Sequence, residues 1–296
     1  MNRMNRREFL GALEAGVGVP MGEKSALAAG PRSPTDRVAL GKSGVTASFV
    51  GIGTGMRGGG GKRQSNHTRM GQEAFTKLVR HAFDSGINFF DVADLYGTQP
   101  FLRNALQGIP REKYVIQSKI WFRPKGLPDV TTSAKVAVER FLKELGTDYI
   151  DNVLLHCTTD PDWTDKLRTM MDELAASKEK GRIRAHGTSC HSLAAMQTAA
   201  ASSWVNVQFA RINHKGASMD GKPEEIAALL KQMRAAGKAV IGMKIFGEGK
   251  FQTIEDREAS LRFVIGEKCI DAMMIGFEKP EQIDETLKQL AAVLKA

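Results

Sequence analysis

Eight short, apolar, β-rich segments separated by helix-like stretches are the strongest constraint this 296-residue chain places on its own fold. They read SFVGIG (48–53), INFFDVA (87–93), YVIQSKI (114–120), YIDNVLLHC (149–157), IRAHGTS (183–189), WVNVQFARIN (204–213), AVIGMKIF (239–246) and DAMMIGF (271–277). Between them, apolar residues recur at helical spacing over Glu73–Phe83, Ser133–Leu145, Trp163–Lys178, Pro223–Ala235 and Pro280–Leu294. Pro223 and Pro280 suit first-turn positions, and Gly86, Gly146, Gly181 and Gly237 suit helix ends. A strand then a helix, eight times over in roughly 250 residues, predicts an α/β chain folded as a (β/α)8 TIM barrel. A doubly wound sheet is the alternative.

One stretch breaks the alternation. RVALGKSGVTASFV, with Gly41 and Gly44 as turn residues, predicts a β-hairpin ahead of the first barrel strand, placed to close the bottom of the barrel. The glycine-rich stretch 58–61 and its basic continuation to Met70 then form the loop after the first strand, which reads as mobile.

Composition narrows the function classes. The net charge of +9 is spread along the chain, and its densest basic run, GKRQSNHTR around Lys62 and Arg63, has no interleaved aromatics. That run reads as solvated surface, not as a nucleic-acid groove. Cys157, Cys190 and Cys269 show no CxxC spacing and read as small buried hydrophobes. No apolar run approaches the ~18 residues of a membrane span, and no feature sets an oligomeric state.

Residues 1–30 stand apart. Arg6-Arg7-Glu8-Phe9-Leu10, followed by Ala26-Leu27-Ala28, resembles a bacterial twin-arginine export signal, although Glu14, Glu23 and Lys24 interrupt its apolar part. The resemblance implies the twin-arginine translocase as a partner and a periplasmic location, the alternative being a cytoplasmic protein with an unused leader. Residues 36–296 form the barrel domain in this reading.

Several motifs fail. Gly51-Ile52-Gly53 begins a dinucleotide fingerprint, but Met56 stands where its third glycine belongs; Gly61-Lys62 lacks the Ser/Thr of a phosphate loop, since Arg63 follows. His186, Cys190 and His191 are close in sequence, yet strand alternation does not make them a metal set, so no metal is assigned.

Four ionisable residues remain: Asp91, Tyr96, Lys119 and His156, each at or just beyond the end of consecutive predicted strands. In a barrel those ends share one face. A carboxylate, phenol, amine and imidazole brought together there form a proton-transfer site, because the charged pair can tune the phenol.

On these residues the sequence resembles the aldo-keto reductase family, from about Arg37 to the C-terminus. RVALGKSGVTASFVGIGTG is similar to its hairpin and first strand, DVADLYG to its Asp/Tyr signature, SKIW to its lysine strand and LLH to its histidine strand. The resemblance implies metal-free hydride transfer between a nicotinamide cofactor and a small-molecule carbonyl or alcohol. Tyr96 would be the general acid, Lys119 and Asp91 its tuning pair, and His156 the group that orients the carbonyl.

It further implies a cofactor site. Gly53 and Thr54 follow the first strand, Ser189 the fifth, and Gln208 on the sixth would help hold the carboxamide. Cys190 stands where many members have asparagine, with His191 beside it, and Met243 stands near the position of a stacking aromatic. Lys244 and Gly247 follow. In IGFEKPEQIDET, Gly276, Lys279, Gln282 and Glu285 fall on the adenosine-phosphate segment, with Gln282 and Thr286 replacing the arginine and asparagine of many NADPH users. Lys279 places NADP(H) ahead of NAD(H). A low-turnover, cofactor-binding regulatory subunit on the same barrel is the alternative function.

Overall fold

Strand pairing closes on itself. The computed structural model describes residues 30–58, 61–127 and 129–296, so the expected leader lies outside the described residues except for Gly30. Eight parallel strands, β3 (Val50–Gly53), β4 (Phe89–Asp91), β5 (Val115–Ile120), β6 (Ile150–Thr158), β7 (Ile183–Cys190), β8 (Val207–Arg211), β9 (Ala239–Met243) and β10 (Ala272–Ile275), pair in chain order, and β10 returns to β3. All eight coincide with the apolar segments that the sequence singles out.

Alternation along these strands builds two apolar layers. Phe89, Val115, Leu154, Val207, Ile241 and Met274 point into the barrel, while Val50, Ile52, Phe90, Ile116, Val153 and Val240 pack against the surrounding helices. The inner layer continues into the antiparallel hairpin β1 (Arg37–Ala39) and β2 (Thr46–Ser48), whose Leu40, Val45 and Ala47 are buried with it. Lys42 N–H donates to Gly237 O at 2.8 Å, which fastens the turn to the start of β9. The hairpin therefore plugs the barrel, as its place in the sequence suggests.

The same end carries two buried carboxylates in equivalent roles. Asp151 in β6 accepts from Ile116 N at 2.9 Å and from Arg111 Nη2 at 2.7 Å. Asp271, just before β10, accepts from Val240 N at 2.8 Å and from Arg234 Nε at 2.9 Å. Each satisfies the N–H of a strand's second residue with a charge-assisted bond.

The helices are α1 (Asn66–Arg69), α2 (Gln72–Asp84), α3 (Gln99–Ala105), α4 (Ala134–Leu145), α5 (Trp163–Lys166), α6 (Arg168–Glu179), α7 (Leu193–Ala201), α8 (Pro223–Ala235), α9 (Ile254–Glu267) and α10 (Pro280–Lys295). Pro223 and Pro280 occupy first turns, and Gly86, Gly146, Gly181 and Gly237 all take positive φ at or just past helix ends. Two expectations change. The helix expected over Trp163–Lys178 is broken at Leu167 (φ −110°), and the basic loop up to Met70 contains the single turn α1. Helices α3, α7 and α9 are additional. Two of them have side-chain N-caps, Ser192 to Ala195 N and Thr253 to Asp256 N, each at 3.1 Å. That pattern is a start signal which periodicity alone does not weigh.

Leu40 is fully buried in the plug. Leu40→Ala should lower stability by roughly 2–5 kcal/mol, measured by urea unfolding, with the far-UV circular dichroism of the native state unchanged.

Candidate active site

Strand register brings the four candidate residues to one rim. Gly53 pairs with Asp91, Asp91 with Gln117, Lys119 with Leu154, and His156 with Ser189. Asp91 ends β4, Lys119 and His156 lie near the ends of β5 and β6, and Tyr96 closes a one-turn 3-10 helix, Asp94–Tyr96, just past β4.

Lys119 Nζ is ion-paired with Asp91 Oδ1 and donates to Val92 O at 3.0 Å. Gln117 Nε2 donates to the same Asp91 oxygen at 2.9 Å. Lys119 is fully buried and Asp91 is 3% exposed. Burial pushes the Asp91 carboxyl up and the Lys119 ammonium down, and each partner's charge works against that push.

Tyr96 lies against this pair, with Lys119 Nζ 4.8 Å from its ring centroid. Its ring meets His156 edge-on at 5.6 Å, and Trp121 meets His156 edge-on at 5.5 Å from another side. Burial, then the Asp91 charge, raises the Tyr96 phenol well above its ordinary range. Sequence reasoning expects Lys119 to lower it. Here the ammonium is engaged by Asp91 and makes no hydrogen bond to the phenol, and burial keeps the phenol protonated at neutral pH. Burial, then the Lys119 charge, drives His156 well below the usual imidazole range, which keeps that ring neutral.

Residues 59 and 60 of the glycine-rich stretch lie outside the described residues, but on either side of them the loop after β3 touches the Tyr96 turn. At Gly55 a Cβ would meet the Tyr96 ring at 2.2 Å, so only glycine allows so close an approach. Gln64 N–H donates to Leu95 O at 3.2 Å. Arg63, expected on solvated surface, is one-quarter exposed; its Nε donates to Asp94 Oδ1 at 2.7 Å and its Nη1 to Asp129 at 2.6 Å. Arg140 Nη2 lies 2.9 Å from Asp94 Oδ2. Asp94, 1% exposed, thus ties the loop after β3 and helix α4 to the turn that carries Tyr96. The sequence holds a trace of this, a second carboxylate inside DVADLYG, but nothing in the linear order pairs it with Arg63 or Arg140.

The cofactor candidates divide. Gly53 ends β3, and Thr54 uses its hydroxyl inside the protein, donating to Asp91 O at 2.8 Å and sharing a 2.7 Å bond with Thr98 Oγ1. Ser189, Cys190 and Gln208 are buried at adjacent strand ends; the Cys190 thiol donates to Gln208 Oε1 at 3.5 Å. Ser189 Oγ lies 3.3 Å from His191 Nε2. Met243 ends β9 with 8% exposure. Beyond it, Lys244 pairs with Glu248, and Gly247 N–H donates to Lys244 O at 2.8 Å.

At the last strand, Gly276 backs onto Met56, and Lys279 is exposed at the start of α10. Gln282, exposed, folds back over the start of its own helix: its Oε1 accepts from Glu278 N at 2.8 Å and Lys279 N at 3.2 Å. Glu285 is bound to Arg257 Nη2 at 3.3 Å. As arranged, Gln282 and Glu285 serve helix α10 and its neighbour.

Sequence reasoning also treats Cys157 as a buried hydrophobe. It is half-buried with φ +61°, and its Sγ lies 3.3 Å from His191 Nδ1. Burial holds its thiol up at about 11. His186, by contrast, stacks on Trp204 at 4.4 Å.

A closed parallel barrel with Asp, Tyr, Lys and His on one rim has counterparts among known proteins. Residues 50–296 match the Aldo/keto reductase family, and the chain belongs to it. An L-galactose dehydrogenase from Arabidopsis thaliana is 30% identical over 124 residues, 40% of this chain and 36% of that protein. An NADH-specific methylglyoxal reductase from Escherichia coli K12 is 27% identical over 168 residues, 51% of each. The chain thus spans about half, or less, of the length of these curated relatives. A solved structure from Pseudomonas aeruginosa, assigned to the aldo-keto reductases, superposes with a TM-score of 0.71 at 25% identity, covering 88% of this chain and 97% of that one.

Asp94→Asn leaves Arg63 and Arg140 without their buried partner. The expected loss is about 3 kcal/mol, read as a lower denaturation midpoint, and the Tyr96 turn should become accessible to limited proteolysis. An unchanged midpoint would show that Asp94 does not hold the loops together.

Proposed function

We propose that the protein is an enzyme that reduces an aldehyde or ketone with a nicotinamide cofactor, and oxidises the corresponding alcohol in reverse. The observation that carries this reading is the Tyr96 phenol, lying between neutral His156 and the buried Lys119–Asp91 pair at the C-terminal rim of the barrel.

The surrounding residues fit a nicotinamide. Ser189 near the end of β7, Gln208 on the neighbouring β8 and Met243 at the end of β9 bring a hydroxyl, an amide and an apolar thioether to three adjacent strands. When bound, the cofactor supplies hydride to the carbonyl carbon. Tyr96 Oη–H gives its proton to the carbonyl oxygen, so substrate takes up one hydride and one proton and leaves as the alcohol. His156, neutral, hydrogen-bonds that oxygen and orients it. Lys119 and Asp91 hold the Tyr96 ring from beneath, and the ammonium stabilises charge left on the phenol as its proton departs.

The sign of the pH dependence follows from the directions at Tyr96 and His156. Reduction requires the phenol protonated, and its raised range keeps it so; the depressed imidazole stays neutral into acid. The kcat/KM for reduction should therefore be flat from roughly pH 6 to 9, while alcohol oxidation should climb with pH. Tyr96→Phe should lower turnover ~10³-fold or more and leave cofactor Kd unchanged; near-native turnover by that variant would reject the assignment.

For the cofactor we propose NADP(H) over NAD(H), on the exposed ammonium of Lys279 at the N-terminus of α10. The Glu278 carboxylate, bound by Asn66 Nδ2 at 2.6 Å, works in the other direction. Kd values for NADPH and NADH by fluorescence titration decide; equal values, or tighter NADH, reject the proposal.

A further inference from the structure

A cavity of about 540 Å³ opens beside the catalytic rim, between the loops that follow β5 and β6. Trp121, Phe122, Trp163 and Leu167 supply apolar walls, and Trp121 joins the cavity to His156. The indole is fixed: Trp121 Nε1 donates to Lys125 O at 2.7 Å, and its ring lies on Gly126, where a Cβ would come within 2.8 Å of it.

The charges in this cavity do not balance. Its one carboxylate, Asp160, is bound by Lys166 at 3.3 Å, and Lys166 is held again by Asp162 at 3.0 Å. Arg123 is different. Its Nη2 donates to Thr159 Oγ1, and among the described residues no carboxylate lies within ion-pairing distance of its guanidinium. Burial depresses the His191 imidazole, and four cations around it add to the effect: Arg211, Lys244, Arg123 and Lys119. Three have their own carboxylates: Asp220 for Arg211, Glu248 for Lys244 and Asp91 for Lys119. Among the described residues, Arg123 alone has none.

A half-buried guanidinium with free donors beside aromatic walls is arranged for a planar anion, because its fork matches the two oxygens of a carboxylate. We propose that the substrate carries a carboxylate apart from the reacting carbonyl, and that Arg123 binds it while the carbon skeleton lies against Trp121 and Trp163. The carboxylate is unchanged in the reaction and serves to select and orient. This rests on the reduction proposed above.

The test compares 4-carboxybenzaldehyde with methyl 4-formylbenzoate, which is close in shape but neutral, as the ratio of their kcat/KM values. Wild type should favour the carboxylate by roughly 10- to 100-fold, the range of a hydrogen-bonded charge pair. Arg123→Gln should bring the ratio within about threefold of unity, and Arg123→Lys, which keeps the charge but loses the fork, should fall between. A wild-type ratio near one overturns the proposal, as does a ratio unmoved in Arg123→Gln.

Binding separates this proposal from the activity. Terephthalate and terephthalamide are titrated against the full chain by quenching of tryptophan fluorescence. If no aldehyde turns over, the reduction reading fails on its own. Terephthalate binding that exceeds terephthalamide binding and is lost in Arg123→Gln supports an anion site; equal binding of the two rejects it.

Discussion

The rest of the site depends on one buried ion pair, Lys119 with Asp91. Neither charge is tolerable alone in the barrel interior, where desolvation of a single ion costs several kcal/mol. Together, with Gln117 and the Val92 carbonyl, they have enough partners to remain charged. Their register on neighbouring strands is fixed by the ladder, Asp91 opposite Gln117. The phenol, imidazole and indole then pack outward from the pair, so barrel geometry becomes proton chemistry through a single contact.

A second layer of charge acts at the level of loops. Asp94 holds Arg63 and Arg140 from two directions, and the chain just after β3 can lie on the Tyr96 ring because Gly55 has no side chain. The plugged end of the barrel works differently, through Leu40, Val45 and paired Asp–Arg caps. Stability is thus concentrated at one pole of the molecule and chemistry at the other, as the architecture favours.

The strands were legible because period-2 burial and apolar runs are local properties: all eight segments, and the hairpin before them, lie where the sequence places them. Amphipathic helices such as α2 and α4 were legible for the same reason. Helix α7, nearly all apolar with five alanines among LAAMQTAAA, has no polar stripe to betray its period, and the Leu167 break depends on packing. In the site, the order Asp91, Tyr96, Lys119, His156 was readable from strand position. What was not readable were partners far apart in sequence, Arg63 with Asp94 and Cys157 with His191. Nor was the direction of the Tyr96 shift legible, which depends on the burial of the phenol and then on the Asp91 charge near it. Gln282 shows the limit from the other side: its place suggests a ligand contact, and its amide instead caps a helix.

Cys157 sits one residue past His156 in a left-handed conformation, with its sulfur against His191. A thiol so close to the reacting groups would ordinarily make a site dependent on cellular reductants. Here the surroundings hold it near 11, and the thiolate that attacks disulfides or peroxides is scarce at neutral pH. The sulfur beside His156 is therefore a slow nucleophile at neutral pH.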